Sequence, residues 1–484
     1  MSTTPGTLVG NSTVMLLSRA VTIVAGGALT IYAIRTFTVE EFGRYSIALA
    51  LATTLSLLSE MGISGLAVRK ITTTPKDESQ LLAIAVAAEI ATSAAAAALL
   101  IPVALLLGYP DEIVLLVAIA AGAVLFQGIL AALQTPFQAR RVMSYVAAFG
   151  ALQGTATAAI GFPLLAAGTG PAGLMGAFVF GHLVALGGAV FALRRTRIHP
   201  AWGGVSKRIG GFLLAALPIA LAGGADVIYE RIDLLMVSKL DGIEAAEIYS
   251  VALQALIYTS LVPSIVMGAF FPLLVANLRD DPSQGQRSVM LLARIFLVLS
   301  LPLVIVLVTC GESLVTFVLG SRYSDAAVPL AIVSGSMVLG FLNYLFWYAL
   351  LAAHQERAKL RILAVGLPVN AALNVILIPR YGPTGAAIAL LASDLMMGLW
   401  QALIVHRRIF PVDITRIVAL PGMVALGAVA AGLAVATVNP VLGGVVGVSL
   451  FTMVLLPTGY VTAEEWRPLT DPLLGIRRRM RGPR

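Results

Sequence analysis

Apolar residues run along this chain in long blocks, separated by short clusters of charge, glycine and proline. A helical membrane span takes about 20 residues, and fourteen blocks are long enough. They cover roughly 11–36, 45–69, 81–107, 112–135, 142–167, 171–194, 210–238, 245–276, 288–310, 325–353, 358–378, 383–406, 414–437 and 439–461. Within each block the apolar residues are continuous and do not alternate with period two. The pattern therefore predicts membrane helices and not a barrel. No cleavable leader is expected, because residues 1–10 carry no basic charge and no small-residue site closes a short apolar core. The first block is expected to remain as an anchor.

Charge sorts the gaps between blocks. With the N-terminus inside, alternate loops hold 25 Lys and Arg, among them Arg69, Arg140, Arg194, Arg357 and Arg407. The intervening loops hold 5, namely Arg35, Arg44, Lys239, Arg322 and Arg380. Cytoplasmic loops collect basic residues, so both termini are expected in the cytoplasm and the protein in the cell (plasma or inner) membrane. Composition agrees. The chain is 59% hydrophobic and 12% charged, with a mean hydropathy of +0.94, and soluble domains carry about twice that charge. A soluble enzyme and a disordered chain are excluded, and the single cysteine, Cys310, excludes a disulfide scaffold. The net charge of +8 is accounted for by topology, so no nucleic-acid partner is expected. The tail at 463–484, with Arg477-Arg478-Arg479, is either a contact with anionic lipid or a solvated basic end.

An internal repeat is visible. Thr38-Val39-Glu40-Glu41-Phe42-Gly43-Arg44-Tyr45-Ser46 aligns with Gly242-Ile243-Glu244-Ala245-Ala246-Glu247-Ile248-Tyr249-Ser250 at an offset of 204. Gly170-Pro171-Ala172-Gly173 aligns with Gly382-Pro383-Thr384-Gly385 at 212, and Gln138-Ala139-Arg140 echoes Gln355-Glu356-Arg357. The expected architecture is an all-α polytopic membrane protein of about 14 helices. It comprises a six-helix lobe at 1–200, a second at 201–410, two added helices at 411–462 and the tail.

Several stretches carry a family resemblance. They are Glu41-Phe42-Gly43-Arg44-Tyr45, Glu60-Met61-Gly62-Ile63, Asp233-Leu234-Leu235-Met236, Phe271-Pro272-Leu273, Leu319-Gly320-Ser321-Arg322-Tyr323 and Tyr381-Gly382-Pro383-Thr384-Gly385. In this order the chain resembles the polysaccharide biosynthesis and oligosaccharide flippase family. O-antigen and exopolysaccharide repeat-unit flippases belong there, within the multidrug/oligosaccharidyl-lipid/polysaccharide exporter superfamily. The resemblance covers about 11–406. It implies two lobes rocking around a cationic cavity, and a polyprenyl-pyrophosphate-linked oligosaccharide moved from the cytoplasmic to the outer leaflet. Membrane lipids, and a polysaccharide polymerase or glycosyltransferases of the same pathway, are the implied partners.

Charges inside spans mark the candidate chemistry, since each costs about 2.5–3.5 kcal/mol at mid-span on insertion scales. Arg19 lies on a stripe with Ser12, Met15, Thr22, Gly26 and Thr30. Its guanidinium can hold a pyrophosphate by paired hydrogen bonds, or it can pair with Glu60 or Glu89 for packing. Glu60 shares a face with Thr53, Ser56 and Ser64, and Glu89 precedes Ser93 by one turn; either is a candidate to neutralise Arg19 in an empty cavity or to titrate as an ion-coupling carboxylate, with Glu60 alternatively solvated near the outer third. Asp226, Glu230 and Asp233 fall on one helical face, at angles of about 0°, 40° and −20°. They form either a cation-coupling site or a water-lined wall, with Arg231 as a second pyrophosphate contact in the first case. His182 and Asp394 are repeat equivalents, each twelve residues past its glycine; His182 suits a proton relay or is a satisfied buried histidine. No phosphate loop, Cys cluster or His-Glu-x-x-His motif occurs, so no enzyme activity, metal or cofactor is expected. The energy source left is an ion gradient, H+ or Na+, or the substrate's own. A cation-coupled drug or small-molecule antiporter and a lipid II flippase are the competing transporters. A membrane polymerase or lipid-sugar transferase ranks last, because the loops are short.

Overall fold

The computed structural model describes residues 22, 24–60, 62–140 and 142–462, without the side chains of residues 57, 58, 60, 218–226, 268, 269, 272, 276, 279, 280, 282 and 356. Every regular element among the described residues is a helix. Helix α1 is described over 24–36. It is followed by α2 (Val39–Glu60), α3 (Ile63–Thr73), α4 (Glu78–Leu106), α5 (Asp111–Ala139), α6 (Met143–Ala166) and α7 (Gly170–Arg195). Then come α8 (Val205–Leu240), α9 (Ile243–Asp280), α10 (Pro282–Leu319), α11 (Ala327–Ala352), α12 (Glu356–Arg408), α13 (Ile414–Ala436) and α14 (Pro440–Leu455).

Ten of these are long and apolar enough to cross a membrane. Helix α12 has 53 residues, about 80 Å at 1.5 Å per residue, against a hydrocarbon core of about 30 Å. It turns at Gly382 (φ 55, ψ −134), between the two spans expected there. The blocks at 11–36, 45–69 and 210–238 overlap α1, α2 with α3, and α8. The block at 45–69 is not one helix as expected. Gly62 adopts a left-handed φ of 66 and separates α2 from α3, a conformation that costs glycine nothing.

Contacts divide the chain into compact units at 1–250 and 251–484. In the first, α4 packs on α5, α6 on α7, and α2 lies against α4 and α5. Its core joins Ile63, Leu82, Val86, Leu133, Phe137, Phe149 and Ala189. In the second, α10, α11 and α12 enclose Phe296, Phe341, Leu345 and Phe346. Helices α13 and α14 approach α10 around Ile305, Ala428 and Phe451. Lipid supplies little hydrophobic drive between helices, so small residues that let backbones meet carry such contacts. A Cβ on Gly443 would stand 2.5 Å from the Gly432 carbonyl oxygen, and one on Gly447 would stand 3.1 Å from that of Ala428. Leu106, Phe317, Leu426 and Met453 are widely exposed, as lipid-facing side chains are.

The loop contacts respect the expected alternation of sides. Arg140 clamps Glu78 through two nitrogens, Arg208 donates to Gln80 at 2.7 Å, and the Ala201 amide donates to the Ser79 carbonyl at 2.8 Å. All belong to loops that the charge pattern assigns to one side. On the other side, Lys239 donates to the Leu107 carbonyl at 2.6 Å, and the Tyr109 and Ser238 hydroxyls lie 2.7 Å apart.

Candidate functional site

Arg231 lies in α8, half-buried, one residue after the exposed Glu230. Its Nε is buried and has no hydrogen-bond partner among the described residues. Such a donor is expensive unless a ligand or water meets it, so Arg231 is poised for an acceptor. Arg19 lies outside the described residues, as do the side chains of Glu60 and Asp226. The three-acid face of α8 is therefore seen in part. Glu230 is exposed, whereas Asp233 is 1% exposed and accepts a hydrogen bond from the Tyr249 hydroxyl at 3.2 Å.

Tyr249 belongs to the first turns of α9, where the repeat becomes physical. Ser46 and Ser250, aligned at an offset of 204, meet with their hydroxyl oxygens 3.4 Å apart. Gly43, the counterpart of Glu247, packs so closely that a Cβ would stand 2.8 Å from the Ile243 carbonyl oxygen and 3.2 Å from the Glu247 Cβ. Glu247 is fully buried. It stood in the repeat and went unmarked as a site candidate; the signal was an acid inside an otherwise apolar stretch. Here α2, α8 and α9 together hold Asp233, Glu247, Tyr249 and two serines out of contact with bulk solvent.

Glu89 is fully buried between α3, α4 and α5. Its Oε1 accepts from the Ser64 hydroxyl at 2.9 Å, and a turn later Thr92 donates to the Ser59 carbonyl at 2.8 Å. The two bonds grip the chain on either side of the Gly62 break. Gly128 leaves room for this cluster: a Cβ there would lie 2.0 Å from the Ser93 hydroxyl oxygen and 3.1 Å from Glu89 Oε2.

His182 is buried, with Nδ1 2.9 Å from the Phe178 carbonyl oxygen and Nε2 3.1 Å from Gln153 Nε2. A neutral ring satisfies both, donating at Nδ1 and accepting at Nε2. Its repeat equivalent Asp394 is buried in the second unit, where the Asn343 amide donates to its backbone carbonyl at 3.3 Å. Nearby in sequence, Asn370 and Asn374 are both fully buried on α12, and the Asn374 amide donates to Asn370 at 3.0 Å. Their spacing of four within an apolar span was a legible signal that went unused. Among the described residues of the first unit, the candidates Glu89, Asp233 and His182 do not form one cluster. Each has its own partners.

These features are those of a helical membrane protein with polar groups built into its interior, and the comparisons agree. A family model described as polysaccharide biosynthesis protein matches residues 34–328, more than half of the chain. The chain belongs to that family. No curated protein matches the sequence. Among solved structures, the lipid II flippase MurJ in an inward closed conformation matches with a TM-score of 0.70 at 14% identity, over 93% of this chain and 99% of that one. A MATE transporter of Vibrio cholerae, VcmN, matches with a TM-score of 0.58 at 12% identity, over 84% and 98%. An outward-facing multidrug resistance MATE transporter of the MOP superfamily reaches 0.60 at 12% identity, over 84% and 98%. At these identities the likeness is one of fold. The chain is a multi-pass membrane protein with the all-helical fold of that superfamily.

Proposed function

We propose that this protein flips polyprenyl-pyrophosphate-linked oligosaccharide repeat units from the cytoplasmic to the outer leaflet of the cell membrane. Two six-helix lobes, 1–200 and 201–410, alternate access to a cavity between them. Arg19 and Arg231 hold the pyrophosphate, and the protein carries out no covalent chemistry. The observation that carries the reading is the half-buried Arg231, whose Nε lacks a partner among the described residues. An anionic lipid head would satisfy it, whereas a cationic drug would not. Membership of a polysaccharide biosynthesis family supports the substrate class. A polymerase or glycosyltransferases of the same pathway would supply and consume the lipid-linked unit.

The inward coupling of H+ or Na+ is the companion proposal, supported by the buried carboxylates Glu89, Asp233 and Asp394. Two other cargos stand as second readings. A lipid II flippase is favoured by the extent of the MurJ likeness, and a cation-coupled antiporter by the MATE likenesses. Complementation separates them. In a deletion strain, lipid-linked oligosaccharide is expected to accumulate on the cytoplasmic leaflet and to clear with the wild type. Hydrogen bonds to a charged group are worth about 1.5–3 kcal/mol. Arg231→Ala should therefore slow clearance roughly ten- to a hundredfold, with partial recovery in Arg231→Lys. Unimpaired clearance by Arg231→Ala would remove Arg231 from the substrate contacts, and absence of accumulation would remove the flippase reading.

A further inference from the structure

Near the start of α10, Arg287, Met290, Leu291 and Arg294 stand at i, i+3, i+4 and i+7, on one helical face. With Gln286 and Ser288 they line a cavity of about 490 Å³. The two arginines are about 10 Å apart along the axis, at the end of α10 that the charge bias assigns to the cytoplasm. Arg294 is held in place: it donates to the Tyr460 carbonyl at 2.8 Å, and its guanidinium lies 6.0 Å from the centre of the Tyr460 ring. Tyr460 is buried, and its hydroxyl donates to the Ile417 carbonyl. Gln286 and Ser288 are engaged with protein, Gln286 donating to the Pro411 carbonyl at 2.7 Å and Ser288 accepting from Asn277 at 3.0 Å. Arg287 is exposed and Asp281 is the acid near it. The cavity is therefore cationic at both ends.

One turn further along α10, Val298 and Pro302 face Phe451 and Leu455 of α14 across an apolar cleft of about 70 Å³, which Tyr460 also lines. The rim of that cleft is apolar and open, with Leu456 63% exposed. A cationic cavity joined through Arg294 and Tyr460 to an apolar cleft is a head-and-tail arrangement.

We propose that this is a binding site for an anionic phospholipid of the bilayer. Its phosphate lies between Arg287 and Arg294, and the start of an acyl chain lies in the cleft. A soluble anion would have no use for the cleft, and a neutral lipid none for the arginines. The bilayer's own lipid is favoured over the transported one because α14 lies outside the twelve-helix repeat and the cleft opens on a lipid-facing rim. The inference does not depend on what the protein transports.

Native mass spectrometry of the full chain in detergent tests it, with phosphatidylglycerol and phosphatidylcholine as probes. The wild type is expected to retain one phosphatidylglycerol and to release phosphatidylcholine. A basic residue near a membrane surface attracts anionic lipid by about 1 kcal/mol, roughly fivefold in affinity. Arg287→Gln, at an exposed position, should weaken retention roughly fivefold, and Arg287→Gln with Arg294→Gln roughly twenty-five-fold. Val298→Trp, which fills the cleft and spares the arginines, should also release the lipid. Equal retention of both lipids, or full retention by Arg287→Gln, overturns the proposal. Displacement by millimolar inorganic phosphate together with retention by Val298→Trp overturns it in favour of a free-anion site. Preference for a polyprenyl phosphate over phosphatidylglycerol overturns it in favour of the transported lipid.

Discussion

Glu89 can be a structural tie or an ion-coupling carboxylate, and Gly128 gives the means to tell. In Gly128→Ala the new methyl would stand 2.0 Å from the Ser93 hydroxyl oxygen and 3.1 Å from Glu89 Oε2. The first distance is far inside contact, so the Ser93 side chain or α5 must move. Overpacking of this kind costs about 1–3 kcal/mol. If Glu89 is pushed off Ser64, a charge-assisted bond now 2.9 Å long is lost as well, at about 1.5–3 kcal/mol. For a unit of this size each kcal/mol lowers the melting temperature by about 2 °C. Gly128→Ala should therefore lower it by about 2–12 °C in detergent. Ser93→Ala removes the oxygen that clashes, and the Ser93→Ala/Gly128→Ala double variant should regain most of the loss. Glu89→Gln keeps an acceptor for Ser64, so a structural tie predicts near-normal melting and transport. A coupling carboxylate predicts normal melting and lost transport. A Gly128→Ala protein that melts like the wild type, or one that Ser93→Ala fails to rescue, would falsify the packing argument.

Tyr249→Phe leaves the buried Asp233 without its hydroxyl donor and should cost about 1–3 kcal/mol, read as a fall in thermal stability; Tyr249→Phe in an Asp233→Asn background should cost less. Gly443→Ala places a methyl 2.5 Å from the Gly432 carbonyl oxygen and should loosen α13 from α14, exposing their backbone amides to hydrogen exchange. Asp281 and Asp413, outside the spans, are held below the ordinary carboxylate pKa, chiefly by hydrogen bonds from the Ser283 and Thr415 hydroxyls. Because the folded pKa is depressed, their stabilisation of α10 and α13 is present above the ordinary value and is lost as pH falls through the folded one. Asp281→Asn with Asp413→Asn should therefore flatten the loss of stability below about pH 4, and an unchanged acid limb would place that loss elsewhere.

The helical class was legible because continuous apolar blocks have one solution in a bilayer. The alternation of loop charge was informative for the same reason, and loop contacts such as Arg140 with Glu78 follow it. The repeat reached further than topology, since it named Ser46 and Ser250 as equivalents and they touch. Helix breaks were less legible. Gly62 reads as an ordinary membrane glycine until its backbone angle is seen, whereas Gly382 was betrayed by the proline after it. Helical angle alone does not give burial in α8. Glu230 and Asp233 share a face by arithmetic, yet Asp233 is buried and bonded to Tyr249 of α9 while Glu230 is exposed. Glu247, Asn370 and Asn374 stand out in the sequence as polar residues within apolar stretches, but which groups they meet depends on the helix opposite, and one helix's periodicity does not encode that.

The most direct test of the central claim uses purified protein in liposomes. Labelled polyprenyl-pyrophosphate oligosaccharide is placed in one leaflet, and its exposure to an impermeant glycosidase on the other side is followed with and without an H+ or Na+ gradient. The account predicts protein-dependent crossing that Arg231→Ala slows and that lipid II does not reproduce at equal rate. Protection of the labelled lipid under every gradient, with the protein folded and inserted, would contradict it.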